Sequence, residues 1–204
     1  MTWSALKSPT LENAHVRLTP LTPGDREAIR AVAMAPEIWR YFVSLIETDA
    51  DFEAFFDATL ADHAAGRRAV HVITDLRTGR VAGSMSYGNL AEADARLEIG
   101  WSWLGVDFQG QGVNRWAKYL LLEHAFERMG AERVEFKTDE LNLQARQGLR
   151  NIGATEEGTL RSFNFMPGGR RRDAVFYSIL RPEWPEVKRQ LAAGPRVSRL
   201  DAVR

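Results

Sequence analysis

The chain has 204 residues, of which 45% are hydrophobic and 26% are charged, a composition typical of one globular domain rather than a disordered chain. Its 27 basic and 27 acidic residues give a formal net charge of zero, which argues against broad electrostatic binding of nucleic acid or a membrane surface. Cysteine is absent, so disulfides, thiolate metal ligands and a cysteine nucleophile are excluded. No signal-peptide core or membrane-length apolar run is present, and we expect a cytoplasmic protein.

The N-terminal third predicts one strand and two helices. The strand covers 15–21. The first helix covers 22–34, because the run 22–25 supplies a capping hydroxyl, a proline at the first helical position and an acid in the first turn. Thr48 caps a second helix with phenylalanines on one face. The aromatic segment 37–43 lies between these two helices.

The middle of the chain predicts a β-hairpin, a further strand, a glycine loop and a long helix. The hairpin covers 69–88 with a polar turn at its centre. The strand runs from Leu97 to Leu104 and has period-2 alternation, with apolar residues at Leu97, Ile99, Trp101 and Trp103. The loop leads into an amphipathic helix over 114–129. Small loop residues and free N–H groups at a helix start predict a phosphate-binding site.

The C-terminal third predicts a strand over 133–138, a helix over 142–152 that ends at a glycine, and a last hairpin over 157–180. We find no internal repeat. We expect one domain over 1–184, followed by a C-terminal helix and tail over 185–204. Three consecutive arginines, 170–172, lie at the tip of the hairpin, where they are either solvated or close to a ligand phosphate.

The glycine loop excludes two common nucleotide motifs. The chain has no G-x-x-x-x-G-K-[ST] string, and a G-x-G-x-x-G fingerprint would need a third glycine that is missing. The loop does fit Q/R-x-x-G-x-G/A, with Gln109 and Gly112 on pattern and Asn114 where Gly or Ala is usual. Downstream, the runs 142–146 and 151–154 are similar to N-x-x-S-R followed by G-[FA]. With this order and spacing, the stretch from about 16 to 180 resembles the GNAT (GCN5-related) N-acetyltransferases, RimJ/RimL-type branch.

The resemblance implies an α/β (α+β) fold: a single GNAT-type domain with a central mixed, mostly antiparallel sheet of six to seven strands and helices on both faces. It also implies acetyl-CoA, or another acyl-CoA, as co-substrate. The positions that would contact it are the backbone of Trp103 and Leu104 at the strand end, the loop residues Gln109, Gly110, Gln111, Gly112, Val113 and Asn114, and Asn142 and Arg146. A bulge near the strand end would re-aim its backbone groups.

Acetyl transfer to an amine requires a group that accepts a proton. Glu98, on the polar side of the central strand, is the candidate base; a surface or salt-bridged glutamate is the open alternative. The candidate acceptor-binding residues are Trp39, Tyr41 and Tyr87, although the aromatics near 37–43 are also compatible with a core role. The leaving-group acid is unassigned because Ala145 replaces the serine of the motif. Either Tyr87 or Tyr119 donates a proton, or CoA leaves as a thiolate.

The function implied is acyl-CoA-dependent N-acyltransfer, most simply of acetyl to a primary amine on a protein N-terminus or a small molecule, by direct attack. The alternatives are the same fold using succinyl-CoA and a non-catalytic acyl-CoA-binding module. No two histidines have metal-ligand spacing, so we expect no metal. The partner is the amine acceptor, without nucleic acid or membrane. A homodimer through the last hairpin or terminal helix is also open.

Overall fold

The computed structural model describes residues 2–194 and contains one eight-stranded sheet. The strands are β1 Leu11–Glu12, β2 Val16–Pro20, β3 Ala69–Asp75, β4 Arg80–Ala91, β5 Arg96–Leu104, β6 Arg133–Asp139, β7 Thr155–Phe165 and β8 Arg171–Leu180. The helices are α1 Trp3–Leu6, α2 Arg26–Ala33, α3 Asp49–Ala64, α4 Val113–His124, α5 Leu143–Asn151 and α6 Trp184–Ala193. The strand count exceeds the expected six to seven, since two-residue β1 is too short to show a period.

The sheet order is β1-β2-β3-β4-β5-β6-β8-β7. The β5–β6 pair is parallel and the other neighbouring pairs are antiparallel, which confirms a mixed, mostly antiparallel sheet. In the β5–β6 pair the last partners are Glu98 and Glu135, the third of three positions. Beyond them the strands separate, so the facing edge of β5 has no β6 partner for its backbone groups. We call this V-shaped opening the cleft.

Helices cover both faces of the sheet, as expected. Along β3, Ala69 and Ile73 pack in the large core with α4, α5 and α6. The alternate residues Val70 and Val72 pack in a second core with α2 and α3, as the period of two along a strand requires. Helix α6 belongs to the large core, because its apolar face, including Trp184, is buried there.

The predicted start of the second helix is confirmed in atomic detail, whereas the helix predicted from residue 22 begins with a 3-10 turn, Pro23–Asp25, before α2. At α3, the Thr48 hydroxyl accepts a hydrogen bond from the Asp51 N–H at 3.2 Å, while the Asp51 carboxylate accepts from the Thr48 N–H at 2.8 Å. This reciprocal capping box satisfies two backbone donors that the helix itself cannot. The helix predicted over 114–129 is α4 followed by a π-helical turn, Ala125–Met129. The tail predicted beyond 194 lies outside the described residues.

A β-bulge in β5 corrects the predicted alternation. Ser84 of β4 pairs with Trp103 while Ser86 pairs with Gly100, so β5 has one extra residue there. The bulge includes Trp101, whose φ of 50° is in the left-handed region. Leu97 and Ile99 therefore face the large core, but Trp103 faces the second core. The bulge expected near the end of this strand is therefore present, although a period count along the sequence does not locate the extra residue.

Candidate active site

The glycine loop has the backbone conformation that its composition predicts. Gly110 and Gly112 have φ values of 72° and 82°, and Gly112 is the N-cap of α4. Non-glycine residues are strained in this left-handed region. A Cβ added to Gly110 would meet no atom within 4 Å, and one added to Gly112 would meet a single side-chain atom, of Trp116, at 3.9 Å. The loop is thus open to a ligand, with the helix N–H groups directed toward it.

The loop is held against the end of β5. The Gln109 amide donates to the Leu104 carbonyl at 3.1 Å, and Val113 at the start of α4 is buried in the large core. Gln111 remains exposed. These contacts fix the loop to the strand end. An anion bound at the helix N-terminus would therefore lie at a fixed distance from a group bound beside β5.

A buried cation lies behind the first turn of α4, and the sequence interpretation missed it. The Lys118 ammonium donates to the Asn114 side-chain oxygen at 2.7 Å, and only 6% of the Lys118 surface is exposed. Burial lowers the Lys118 pKa to about 8. Asn114, which departs from the Gly/Ala of the motif, therefore positions a lysine one turn later. The i, i+4 spacing was the available signal.

Glu98 lies at the narrow end of the cleft. Its carboxylate accepts from the Asn89 side-chain amide at 2.6 Å and from the Lys137 ammonium of β6 at 2.8 Å. It is 4% exposed. The alternation predicted that this face of β5 is exposed to solvent, but at Glu98 it is buried. A Cβ on Gly100 would lie 2.6 Å from the Glu98 Oε1 atom; the glycine leaves room for the carboxylate. Glu98 is both salt-bridged and placed where the strands part.

A second group of charges follows along the same face. Asp139, which is buried, is ion-paired with Arg170 and accepts from the Leu141 N–H at 3.0 Å. Arg172 is 6% exposed, and its Nε has no hydrogen-bond partner among residues 2–194. Of the arginine run, Arg171 is exposed and bonds to Ser162. The three arginines therefore have three different environments, which their adjacency in sequence did not indicate.

Aromatic rings line this charged region. The Trp101 ring lies across Gly88, since a Cβ there would be 2.2 Å from its Cζ3 atom. The Lys137 Nζ lies 5.7 Å from the ring centroids of both Trp101 and Phe163, a cation–π arrangement. Phe163 in turn packs edge-on against Phe176, with centroids 5.4 Å apart. Aromatic rings therefore lie beside the charged groups, and one of them, Phe163, is 41% exposed.

The candidate acceptor-binding residues are distributed over different parts of the molecule. Trp39 is 1% exposed, donates its indole N–H to the Ala33 carbonyl and packs 5.3 Å from the Trp103 ring; this is a core role. Tyr41 is half-buried beside Arg40. Tyr87 needs correction: it is fully buried in the large core.

The hydroxyl groups of the two tyrosines considered as proton donors make hydrogen bonds outside the cleft. The Tyr87 hydroxyl donates to the Leu121 carbonyl of α4 at 2.5 Å, on the sheet face opposite Glu98, and burial raises its pKa well above the usual value. The Tyr119 hydroxyl donates to Glu123 at 3.2 Å, and its ring packs on Trp184. Neither contact directs a proton toward the cleft.

The remaining predicted cofactor positions have local bonds. The Asn142 side chain caps α5 by accepting from the Ala145 N–H at 3.0 Å. The Arg146 guanidinium donates to the Tyr177 hydroxyl at 3.3 Å and to the Glu140 carbonyl at 3.2 Å. The side chains of Trp103 and Leu104 are buried in the two cores, so only backbone groups at this strand end can meet a ligand.

Comparison with known proteins establishes the family. The model of the acetyltransferase (GNAT) domain matches residues 15–155, more than half of the chain. The protein therefore belongs to the GNAT family of acetyltransferases, in agreement with its motifs and with the opening between β5 and β6. In the part of the chain that the structure describes, no cluster of three metal-ligating side chains is found, and no helix has the length and apolarity to cross a membrane.

Individual relatives are similar over most of the chain. The Bacillus subtilis (strain 168) protein named "Putative ribosomal N-acetyltransferase YdaF" is 26% identical over 178 residues, which cover 84% of this chain and 94% of the relative. A crystal structure described as a "putative acetyltransferase from T. thermophilus" has 36% identity and a TM-score of 0.82, covering 90% of this chain and 95% of the other. A Vibrio cholerae structure described as a "putative ribosomal-protein-serine acetyltransferase" shares the fold, with 17% identity, a TM-score of 0.71 and coverage of 88% and 99%.

Proposed function

We propose that this protein transfers an acetyl group from acetyl-CoA to a primary amine by direct attack, with Glu98 as the base. The observation that supports this most is the placement of the glycine loop against the end of β5, the strand whose other end carries Glu98 at the apex of the cleft. Family membership supplies the reaction class and co-substrate. The acceptor and the residue roles are our proposal.

The CoA pyrophosphate would lie on the loop from Gln109 to Asn114, where backbone N–H groups and the positive end of α4 face outward. Lys118, held by Asn114, adds a positive charge at the same place. The pantetheine arm would follow the free edge of β5 at Trp103 and Leu104. Asn142 remains a candidate contact through its amide group, and Arg146 is a weaker one because its guanidinium is already bonded to Tyr177 and Glu140.

In the proposed reaction the neutral amine nitrogen attacks the thioester carbonyl carbon, a C–N bond forms, and the C–S bond breaks. Backbone N–H groups on the free edge of β5 stabilise the oxyanion. The amine proton passes to the Glu98 carboxylate through water, because Glu98 is buried and already accepts two hydrogen bonds. We assign no leaving-group acid: Ala145 has no hydroxyl, and CoA leaves as a thiolate.

Two acceptor classes fit this scheme. A protein N-terminus is supported by the names of the relatives, which include ribosomal acetyltransferases. A small-molecule amine is supported by the aromatic rings of Trp101 and Phe163, which lie beside the charged groups near Glu98. The non-catalytic alternative is motivated by the unusual Asn114 and Ala145. The Asn114–Lys118 bond gives Asn114 a function in anion binding, which an enzyme and a binding module both need, so turnover is what separates the two.

Self-association through the last hairpin is a further part of the proposal. Nearly every residue of edge strand β7 is exposed, and exposed apolar side chains on it include Leu160 and Phe165. An uncovered edge strand with apolar side chains is a surface that soluble proteins usually protect. We propose a homodimer, tested by sedimentation equilibrium of wild type and Phe165→Glu; a monomeric wild type would contradict it.

The test of the function is isothermal titration with acetyl-CoA, succinyl-CoA and CoA. Wild type should bind an acyl-CoA, whereas Gly112→Trp should not, because the side chain fills the loop. Gly79→Trp is the matched control: Gly79 also has a left-handed φ, of 70°, but lies in the β3–β4 turn. Loss of binding in both variants, or no binding by wild type, would contradict the proposed site.

A further inference from the structure

Charged side chains line the cleft side of β6 and β8. Glu135, Lys137 and Asp139 alternate along β6 and share one face. Asp139 pairs with Ala174 of β8, so Arg172, two residues earlier on β8, lies on that face as well. Glu135 is already ion-paired with Arg133 and Arg96. The remaining charges form the cleft cluster, defined as Glu98, Lys137, Asp139, Arg170 and Arg172, which has two carboxylates and three cations.

Two of the cations are already paired. Lys137 is 2.8 Å from Glu98, and Arg170 is ion-paired with Asp139. Arg172 has no ion pair of its own among residues 2–194. The carboxylates that act on it electrostatically, Asp139 and Glu98, are already paired with Arg170 and Lys137. Desolvation lowers the Arg172 pKa from its usual value, and it outweighs the opposing effect of these carboxylates.

A buried cation without its own counter-ion is unfavourable in the free protein, and the cost is removed when a ligand supplies the anion. Guanidinium also has a planar set of donors that matches a carboxylate in a two-point contact. The rings of Trp101 and Phe163 lie beside the same cluster, each 5.7 Å from the Lys137 Nζ atom, so an organic group that carries the anion would have apolar surface next to the charges.

We propose that the ligand of the cleft carries a carboxylate, and that Arg172 binds it. This inference rests on the proposed acyltransferase function and narrows its substrate class. The carboxylate has two possible sources with the same chemistry: the distal end of a dicarboxylic acyl group such as succinyl, or the acceptor itself, as in an amino acid. Arg172 is a specificity residue in either case, whereas Glu98 and Lys137 remain at the reacting end.

The experiment uses four proteins: wild type, Arg172→Gln, Arg172→Lys and, as a matched control, Arg171→Gln, whose arginine is exposed. Binding of acetyl-CoA and succinyl-CoA by wild type is measured first. Binding of neither would refute the proposed acyltransferase function, whereas the substrate comparisons that follow test this inference alone. Acyl transfer is then followed by thiol release with acetyl-CoA and succinyl-CoA, against L-amino acids and the corresponding amino-acid amides.

If the acyl group brings the carboxylate, wild type should prefer succinyl-CoA, and Arg172→Gln should lower kcat/KM for succinyl-CoA by roughly 10- to 100-fold while leaving acetyl-CoA within about threefold. If the acceptor brings it, the same loss should appear for amino acids and not for their amides. Arg171→Gln should change neither, and Arg172→Lys should retain part of the preference. Equal losses for substrates with and without the carboxylate would overturn the proposal.

Thermal unfolding gives a readout that is independent of activity. Removing an unmatched buried charge should leave the melting temperature of Arg172→Gln unchanged or higher, whereas Arg170→Gln should melt lower because it leaves Asp139 buried and unpaired. Added succinate or an amino-acid substrate should raise the melting temperature of wild type and not of Arg172→Gln. A fall for Arg172→Gln as large as that for Arg170→Gln would show a structural role and contradict the proposal.

Discussion

The glycine loop and the cleft form the two ends of the proposed site, and they are constructed in opposite ways. The loop is formed by backbone groups. It consists of six consecutive residues that include two glycines with positive φ and the start of α4. The cleft is formed by side chains: β5, β6 and β8 contribute charges and β4 contributes the neutral Asn89 amide. We infer that the loop provides affinity for the common co-substrate, while the cleft provides turnover and acceptor choice.

The largest expected effect concerns turnover. Glu98→Gln should lower kcat by roughly 10²- to 10⁴-fold, the range for loss of a general base, while the acetyl-CoA dissociation constant stays within about threefold. Steady-state kinetics combined with calorimetry measures both. Lys137→Met is the companion variant, because it removes the Glu98 partner but retains the carboxylate. If Glu98→Gln retained full turnover, Glu98 would be only a structural ion-pair partner.

The second prediction concerns the pH dependence of the unfolding free energy, which sets the pH range in which the loop and the cleft can be compared. Burial depresses the His71 pKa from 6.5 to about 4, so the folded protein holds it neutral while the unfolded chain protonates it. Its contribution to stability is complete above pH 6.5 and is lost as the pH falls toward 4, by up to about 3 kcal/mol. Burial lowers the pKa values of His63 and His124 as well.

Urea denaturation at pH 7 and pH 5 tests this. His71→Leu should have a smaller loss of unfolding free energy on acidification than wild type, and the exposed His15, replaced by leucine, serves as the control. An identical pH dependence for wild type and His71→Leu would contradict a buried neutral histidine.

The third prediction tests the loop through its buried cation. With a Lys118 pKa of about 8, the ammonium is present below pH 8 and is lost above it, so acetyl-CoA should bind roughly tenfold more weakly at pH 9 than at pH 7. Lys118→Met should bind more weakly at pH 7 and show little pH dependence. Calorimetry at both pH values measures this, and an equal pH slope in the variant would assign the effect elsewhere.

The smallest expected effect distinguishes the acceptor wall from the loop. In Gly88→Ala the new Cβ would overlap the Trp101 ring, which must move. We expect the KM for the acceptor to rise severalfold with no change in acetyl-CoA affinity. Gly148→Ala, where a Cβ meets nothing within 4 Å, is the control. A change in acetyl-CoA affinity instead would show that Trp101 belongs to the co-substrate site.

The sequence predicted the loop better than the cleft for a physical reason. The conformation of the loop depends on near neighbours, as does the capping of α3 by the Thr48 hydroxyl, which the structure confirms. The position of Tyr87 on the core face and of Trp103 on the opposite one depends on strand register and on the bulge at Trp101. No local pattern contains that information.

The cleft also depends on residues that are far apart in the chain. Glu98 and Lys137 meet because β5 and β6 are neighbours at one end, and the burial of Arg172 follows from the pairing of β8 with β6. The sequence identified Glu98 as a candidate, but its ion pair and the unmatched Arg172 required the sheet order. Adjacent arginines gave no indication of which one is buried.

The most direct test of the division between the two regions is to measure the acetyl-CoA dissociation constant and kcat on the same preparations of wild type, Gly112→Trp and Glu98→Gln. The account predicts that Gly112→Trp abolishes binding, and that Glu98→Gln binds acetyl-CoA like wild type but turns over roughly 100-fold or more slowly. If Glu98→Gln lost acetyl-CoA binding, or Gly112→Trp retained it, the assignment of affinity to the loop and of turnover to the cleft would be wrong.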